Sequence, residues 1–264
     1  MPETTVLDFA HAAMEAAPED AAARLRFYER LADAELFLLL EAEPDGDTVS
    51  PQVFALEEGS FVMAFDREER LSAFTGAPAP YVALPGRVIA GLLAGEALGL
   101  GLNLAVAPSS FLMPPDAVSW LVETLGQAPE QAEARPEAFD APGDLPQSLL
   151  SSLDTKLALA AGLAEAALLA GVTYAGGRRG HMLAFLGARP EAEAALAKAV
   201  SEALAFSGIE AGEIDVAFLA ADDPSAVRMA RVGLRFDLPE VTEDEQVLSP
   251  AAPGMDPKRP PKLR

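Results

Sequence analysis

The chain has 264 residues, of which 50% are hydrophobic and 23% are charged, a composition typical of a globular protein with one large or two modest domains. Its 41 acidic and 19 basic residues give a formal net charge of −22, which repels the phosphates of nucleic acids and anionic membrane surfaces, so we expect neither as a partner. Cysteine is absent, which excludes disulfides, thiol catalysis and cysteine-held metal centres and is typical of a reducing compartment.

Two further features bear on localisation. The first residues lack a basic segment followed by an apolar run, so we expect no secretory signal and a cytoplasmic protein. Residues 157–175 contain a single charge, Glu165, and approach the length of a membrane span. Alanine and glycine dominate this stretch, and a charge at mid-bilayer is costly, so the sequence favours a buried segment of a soluble protein.

The first half of the chain alternates between helical and strand patterns. Asp66, with Glu69 three residues later, has the spacing of a helix N-cap with a capping box. Gly59 lies between two short apolar runs and predicts a hairpin. The predicted helices span 5–17, 19–33, a segment after Asp66, 85–93 and 114–125, and the predicted strands span 35–41, 52–57, 61–65, 81–84 and 100–106.

Residues 129–146 contain several prolines and little periodicity and are predicted to be a linker. It separates a first domain, 1–128, from a second, 147–240, and residues 241–264 are predicted to be a flexible tail. In the second domain we expect helices from 147, over 190–206 and over 224–232, and strands over 182–186, 214–219 and 233–238. Residues 163–174 are rich in alanine and could form either a helix or a strand. The predicted fold class is α/β (α+β), with two mixed-sheet domains that carry helices on their sheets.

A basic, glycine-rich loop interrupts this acidic chain. Gly176 and Gly177 precede Arg178, Arg179 and His181. Backbone amides and arginines of such a loop could hold a phosphate or a carboxylate. The loop leads into an apolar run and not into a helix N-terminus, and paired glycines suit the positive φ of a tight turn. We therefore favour a hairpin and keep Arg178, Arg179 and His181 as candidate ligand-binding residues.

Little else in the sequence points to chemistry. The two histidines, His11 on a helix expected at the surface and His181, form no nucleophile or metal motif, so we expect no enzyme, no metal and no cofactor. Asn103 lies in the predicted strand 100–106 and Ser109 in the turn that follows it, near the strand end where ligands bind open α/β sheets. They are candidate ligand-binding residues, although both residue types also stabilise local turns.

Several segments together resemble the SseB-like family, whose members pair an N-terminal and a C-terminal domain. The N-terminal resemblance rests on residues 61–74, 81–85 and 101–108, and the C-terminal one on 171–174, 180–183 and 214–219. The resemblance implies a cytoplasmic bacterial protein with two α/β domains and no assigned catalytic residues. The serine-sensitivity phenotype that gives the family its name suggests an amino acid or related metabolite as a possible ligand.

These observations predict a non-catalytic protein-interaction or regulatory module, with an unknown protein partner or self-association. The alternative is a small-molecule binder that senses an amino acid or a related metabolite. Residues 257–264 contain four basic residues, and they could dock on an acidic face of the same chain or of another copy.

Overall fold

Two mixed β-sheets, each with helices on its faces, organise the chain. The structure is a computed structural model and describes residues 4–43, 49–127, 135–143, 145–208 and 214–239. The first unit contains α1 (Val6–Ala16), α2 (Ala21–Asp33), β1 (Glu35–Leu39), β2 (Val53–Leu56), β3 (Gly59–Phe65), α3 (Glu68–Thr75), β4 (Tyr81–Pro85), α4 (Gly86–Leu93), β5 (Gly99–Leu102), β6 (Phe111–Met113) and α5 (Pro115–Gly126). The second contains β7 (Pro136–Asp140), α6 (Gln147–Ala158), β8 (Ala166–Tyr174), β9 (Arg179–Leu186), α7 (Glu193–Phe206), β10 (Ile214–Leu219), α8 (Pro224–Met229) and β11 (Leu234–Asp237).

The first sheet has the strand order β4-β1-β3-β5-β6, and β2 also pairs with β3. The pairing of β3 with β5 is parallel, whereas the other pairings in this sheet are antiparallel. Strand β3 is central and almost wholly apolar, as expected for a strand covered on both faces. Its alternate residues face two separate clusters. One cluster is formed with α2, α4 and α5, and the other contains Leu71 of α3.

The second sheet has the order β10-β9-β8-β11, with β7 paired to the other half of β8. Helices α6 and α7 cover one face and α8 covers the other. The glycine-rich loop forms the predicted hairpin between β8 and β9. Gly176 and Gly177 have φ of +93° and +85°, conformations that residues with a side chain rarely adopt. Since residues 166–173 pair with β9 in continuous register, the helical alternative for this segment is wrong.

Most predicted elements are confirmed, strand β6 was not predicted, and three of the predicted elements differ in detail. The segment predicted as a linker contains strand β7, which adds to the second sheet at residues 136–140. The strand predicted over 100–106 ends at Leu102, because Asn103 adopts φ of +49° and turns the chain. Helix α3 begins after Arg67, and Asp66 does not cap it because its carboxylate binds Arg70 and Thr5 instead. The predicted tail, 241–264, lies outside the described residues.

The two units share an interior. Phe206, the last residue of α7, is fully buried in the same cluster as Phe27, Leu31 and Leu121 of the first unit. Its ring centroid lies 6.2 Å from that of Trp120 in an edge-to-face arrangement. Helix α7 therefore contributes to the cores of both sheets.

Replacing Gly86 by alanine is expected to lower the free energy of unfolding by at least about 3 kcal/mol, beyond ordinary overpacking. A Cβ at this position would lie 1.9 Å from the carbonyl oxygen of Leu31, so α4 would have to move away from α2. Gly91→Ala on the same helix is the matched control. Nothing lies within 4 Å of the Cβ that an alanine at position 91 would have, so this change should raise the free energy of unfolding by up to about 1 kcal/mol. Urea unfolding measures both, and equal midpoints would contradict the expectation.

Candidate functional site

A cleft of about 750 Å³ lies where the two units meet. Its walls come from the start of α1, the turn from α2 into β1, the turn from β3 into α3, and one face of α6. The side chains around it are Thr4, Thr5, Val6, Leu7, Arg30, Asp33, Ala34, Glu35, Phe37, Asp66, Arg67, Glu68, Glu69, Thr155 and Leu159. Residues from both units are therefore needed to form it.

The rim of the cleft combines exposed apolar side chains with carboxylates. Val6 and Leu159, from opposite units, are 65% and 67% exposed. Glu35, Glu68 and Glu69 are exposed on the same rim. Five acidic and two basic residues line the cleft, and two of the acids, Asp33 and Asp66, are bound by cations of the same chain, so the exposed glutamates carry its unbalanced negative charge. The surface is thus suited to a ligand that carries positive charge next to apolar groups.

A buried ionic network stabilises one wall of the cleft. Arg70 donates to Asp8 of α1 at 2.5 and 3.0 Å and to Asp66 at 2.8 and 3.1 Å. Burial disfavours the Asp8 carboxylate, but hydrogen bonds from Arg70 and Ser109 outweigh it and hold the pKa of Asp8 well below its usual range. Thr5 caps α1 and also donates its hydroxyl to Asp66 at 2.6 Å. The start of α1 is thereby fixed against the β3–α3 turn.

Asn103 and Ser109, predicted as ligand-binding residues, are fully buried behind this wall. The Asn103 amide donates to the Ser109 hydroxyl at 2.8 Å, and that hydroxyl donates to Asp8 at 2.6 Å. The Asn103 carbonyl oxygen accepts the Asp66 backbone N–H at 3.2 Å. Both side chains therefore hold Asp8 and Asp66 in place, and neither lines the cleft.

A second buried network joins the two units beside the cleft. Lys156 of α6 is 5% exposed, and its Nζ lies 2.6 Å from Asp33, 2.9 Å from Glu202 and 3.9 Å from Glu29. Arg87 of α4 binds both oxygens of Glu202 at 3.0 Å and also bonds to Asp33. We call these five residues the ion cluster. It links α2 and α4 of the first unit to α6 and α7 of the second.

The ion cluster contains three carboxylates in different environments. Burial alone would raise the pKa of Glu202, but hydrogen bonds from Arg87 and Lys156 outweigh it and lower that pKa. Burial dominates at Glu29 and raises its pKa, although Ser152 donates to one carboxylate oxygen at 2.8 Å. Next to the cluster, Arg30 donates to Thr155 at 2.8 Å across the same boundary. Charged groups thus fix the width of the cleft.

The remaining predicted site residues lie elsewhere, at the β8–β9 hairpin. Arg178 forms an ion pair with Asp215 at 2.9 Å, and its guanidinium carbon lies 4.1 Å from the centre of the Tyr174 ring. Arg179 is exposed, and Nε2 of His181 lies 2.7 Å from the carbonyl oxygen of Pro142. The structure does not bring these residues together with Asn103 and Ser109.

The histidine prediction needs one correction. His11 was expected on a surface helix but is buried, with its ring centroid 5.4 Å from that of Phe27 and 6.0 Å from that of Phe111. Within the described ranges, no group of three or more histidines or carboxylates is placed to hold a metal ion. Across the same ranges, no helix is both long and apolar enough to span a membrane.

The fold and the cleft define the class of protein: two mixed α/β units, joined by buried ions, that share one acidic cleft. Within this arrangement, residues 10–120 match the family model described as the SseB protein N-terminal domain. The match runs from α1 into α5 and includes the α2–β1 and β3–α3 walls of the cleft. It does not include the cleft residues 4–7 at the start of α1, Thr155 of α6 or Leu159, which follows α6. No curated protein and no solved structure gives a significant match to the chain.

Proposed function

We propose that the chain is a cytoplasmic SseB-like protein that works as a non-catalytic interaction module, and that the cleft between its units binds a basic, partly apolar segment of a partner protein. The observation that carries this proposal is the composition of the cleft lining, which contains exposed Val6 and Leu159 together with exposed carboxylates. Exposed apolar side chains gathered around a concavity are typical of recognition surfaces.

The charge of the rim supports a basic partner. Glu35, Glu68 and Glu69 are exposed and line the same cleft as the exposed apolar side chains. Exposed ion pairs contribute up to about 1 kcal/mol each, and they mainly set the specificity and the rate of association. Burial of Val6 and Leu159 would supply most of the affinity.

The buried polar groups support a non-catalytic role. The Ser109 hydroxyl has the hydrogen-bonding pattern of an activated group, since it donates to the Asp8 carboxylate. Its side chain is fully buried, however, and a substrate would need contact with the reacting oxygen. Arg70 and Lys156 likewise bind carboxylates of the same chain. These groups stabilise the walls of the site.

A second candidate is an amino acid or related metabolite in the same cleft. Its volume of about 750 Å³ lies in the range of small-molecule sites, roughly 300–1,000 Å³. Arg30 and Arg67 in the lining could bind a carboxylate, and the rim glutamates could bind an amine. Thermal shift with each amino acid tests this candidate, since a ligand at 100 times its Kd stabilises by about 2.7 kcal/mol.

The test of the interaction module uses a fluorescein-labelled nonapeptide of alternating lysine and leucine. The chain used carries Lys258→Gln, Arg259→Gln, Lys262→Gln and Arg264→Gln, so that its own basic segment cannot compete; we call it the tail-neutral chain. We expect saturable binding by fluorescence anisotropy that weakens as salt rises from 50 to 500 mM, because salt screens exposed charges. The matched probe with glutamate in place of lysine should not bind.

Charge reversal locates the binding surface. Adding Glu35→Lys, Glu68→Lys and Glu69→Lys to the tail-neutral chain gives the cleft-reversed chain, which should bind the probe at least about tenfold more weakly. Glu57→Lys, Glu96→Lys and Glu123→Lys make the same change in net charge at exposed residues outside the cleft. The proposal would be refuted if the tail-neutral chain did not bind the probe. It would also be refuted if the cleft substitutions and the control substitutions weakened probe binding equally.

A further inference from the structure

We infer that the cleft has an occupant within the chain itself: residues 257–264 bind it in cis and compete with the partner. This inference rests on the proposed function, because it assigns a competitor to the same site. Three observations support it: the charge of the segment, the place where the described chain ends, and the apolar character of both surfaces.

The charges are complementary. Residues 257–264 contain Lys258, Arg259, Lys262 and Arg264 and no acidic residue, so four of the chain's 19 basic residues lie in this segment. They belong to a chain with 41 acidic residues. The cleft rim presents three exposed glutamates beside apolar groups. Attraction between a short basic segment and an acidic concavity acts over about one Debye length, roughly 10 Å at 0.1 M salt.

The chain leaves the described structure next to the cleft. The carbonyl oxygen of Pro239 accepts the Gly162 N–H at 2.9 Å. Gly162 lies three residues after Leu159, which forms the α6 side of the rim. From Pro239 to Lys258, an extended chain can span up to about 60 Å, and a random chain about 25 Å on average. Both lengths allow the basic segment to reach the cleft.

The apolar groups also correspond. Pro260, Pro261 and Leu263 lie among the four basic residues in the sequence, and exposed Val6 and Leu159 line the cleft together with the glutamates. Prolines restrict the unbound chain, which lowers the entropy lost on binding. A tether of this length supplies the segment at an effective concentration of the order of millimolar. Even a weak contact would then keep the cleft largely occupied until a tighter partner displaces it.

The first test compares two full-length chains with the lysine–leucine probe. We expect the wild-type chain to bind the probe at least tenfold more weakly than the tail-neutral chain, at the same low salt. A soluble peptide of residues 256–264 should displace the probe from the tail-neutral chain. Equal affinity of the two chains for the probe would overturn the inference.

The second test measures proximity and uses the absence of cysteine from the chain. Thr4→Cys, in the cleft lining, and Leu263→Cys are introduced together, so that one disulfide can form. We expect oxidation to give an intramolecular disulfide at least fivefold faster in the wild-type background than in the tail-neutral background. Equal rates would show that the tether alone brings the residues together and would also overturn the inference.

The outcomes separate this inference from the proposed function. If the tail-neutral chain binds the probe but the wild-type chain binds it equally well, the cis contact is refuted and the interaction module stands. If the tail-neutral chain does not bind the probe, the module itself fails. A salt-sensitive dimer of the wild-type chain in sedimentation, absent in the tail-neutral chain, would place the segment on a second copy and refute the cis assignment.

Discussion

Replacing Lys156 by methionine is expected to lower the free energy of unfolding by about 3–5 kcal/mol, the range found when one partner of a buried ion pair is removed. Its ammonium is buried among Asp33, Glu202 and Glu29, with Nζ–O distances of 2.6, 2.9 and 3.9 Å. Without it, Arg87 remains as the cation of the ion cluster facing three carboxylates. Methionine keeps most of the apolar contacts of the lysine stem, so the loss reports mainly the missing charge.

Lys198→Met on α7 is the matched control for Lys156→Met. Lys198 borders a neighbouring cavity together with Lys156 and Leu196, but it is only half-buried. We expect a change within about 0.5 kcal/mol, as is usual for partly exposed positions away from a buried network. Equilibrium urea unfolding of both variants gives the comparison. If both variants lost a similar amount of unfolding free energy, the net charge of α6 and α7 would determine stability, and not the ion cluster.

Replacing Arg70 by methionine is expected to cost a similar amount, about 3–5 kcal/mol at pH 7. Asp8 and Asp66 would then face one another without a cation, and the contact between α1 and the β3–α3 turn would be weakened. The start of α1 forms part of the cleft, so probe binding should fall together with stability. Hydrogen exchange of the α1 amides provides a local measurement, and we expect faster exchange there than in β8.

The pH dependence identifies the cause of the Arg70→Met loss. In the wild-type chain the pKa of Asp8 is held below its usual range, so its stabilising contribution is present above the ordinary aspartate pKa and declines as pH falls. Without Arg70, burial should raise that pKa above its ordinary value, so the variant loses stability as pH rises.

The difference in unfolding free energy between the wild type and Arg70→Met should therefore shrink from pH 7 to pH 4. Arg26→Met removes an exposed ion pair with Asp20, at 3.6 Å, and should cost below about 1 kcal/mol at both pH values. A loss for Arg70→Met that does not change with pH would indicate lost packing in place of lost charge.

The elements that the sequence predicted well are those with a local physical cause. The β8–β9 hairpin was predicted from Gly176 and Gly177, because a tight turn needs residues that tolerate positive φ. The helices were predicted from apolar residues at helical spacing, and Pro115 at the start of α5 adds a local signal. The prediction for Asp66 failed because a distant residue, Asp8, shares the Arg70 that draws Asp66 away from the helix end.

The cleft and the ion cluster could not be predicted, because they join residues that are far apart in the chain. Lys156 and Asp33 are separated by 123 positions, and no local pattern relates them. A weak signal was present in α6, where Lys156 lies between Leu153 and Leu157 on the face that helical spacing marks as buried. A charged residue on such a face indicates a buried partner but does not identify it.

The position of Phe206 has a consequence for where this chain can be divided. Its ring fills space inside the first unit, although it belongs to the last helical turn of α7 in the second. A fragment cut after residue 120, where the family match ends, would keep Phe27 and Leu31 but would lose Leu121, Leu125 and the Phe206 ring that packs in the same cluster, leaving an apolar void open to water. The segment that matches the family model therefore lacks residues that are needed to complete its own hydrophobic core.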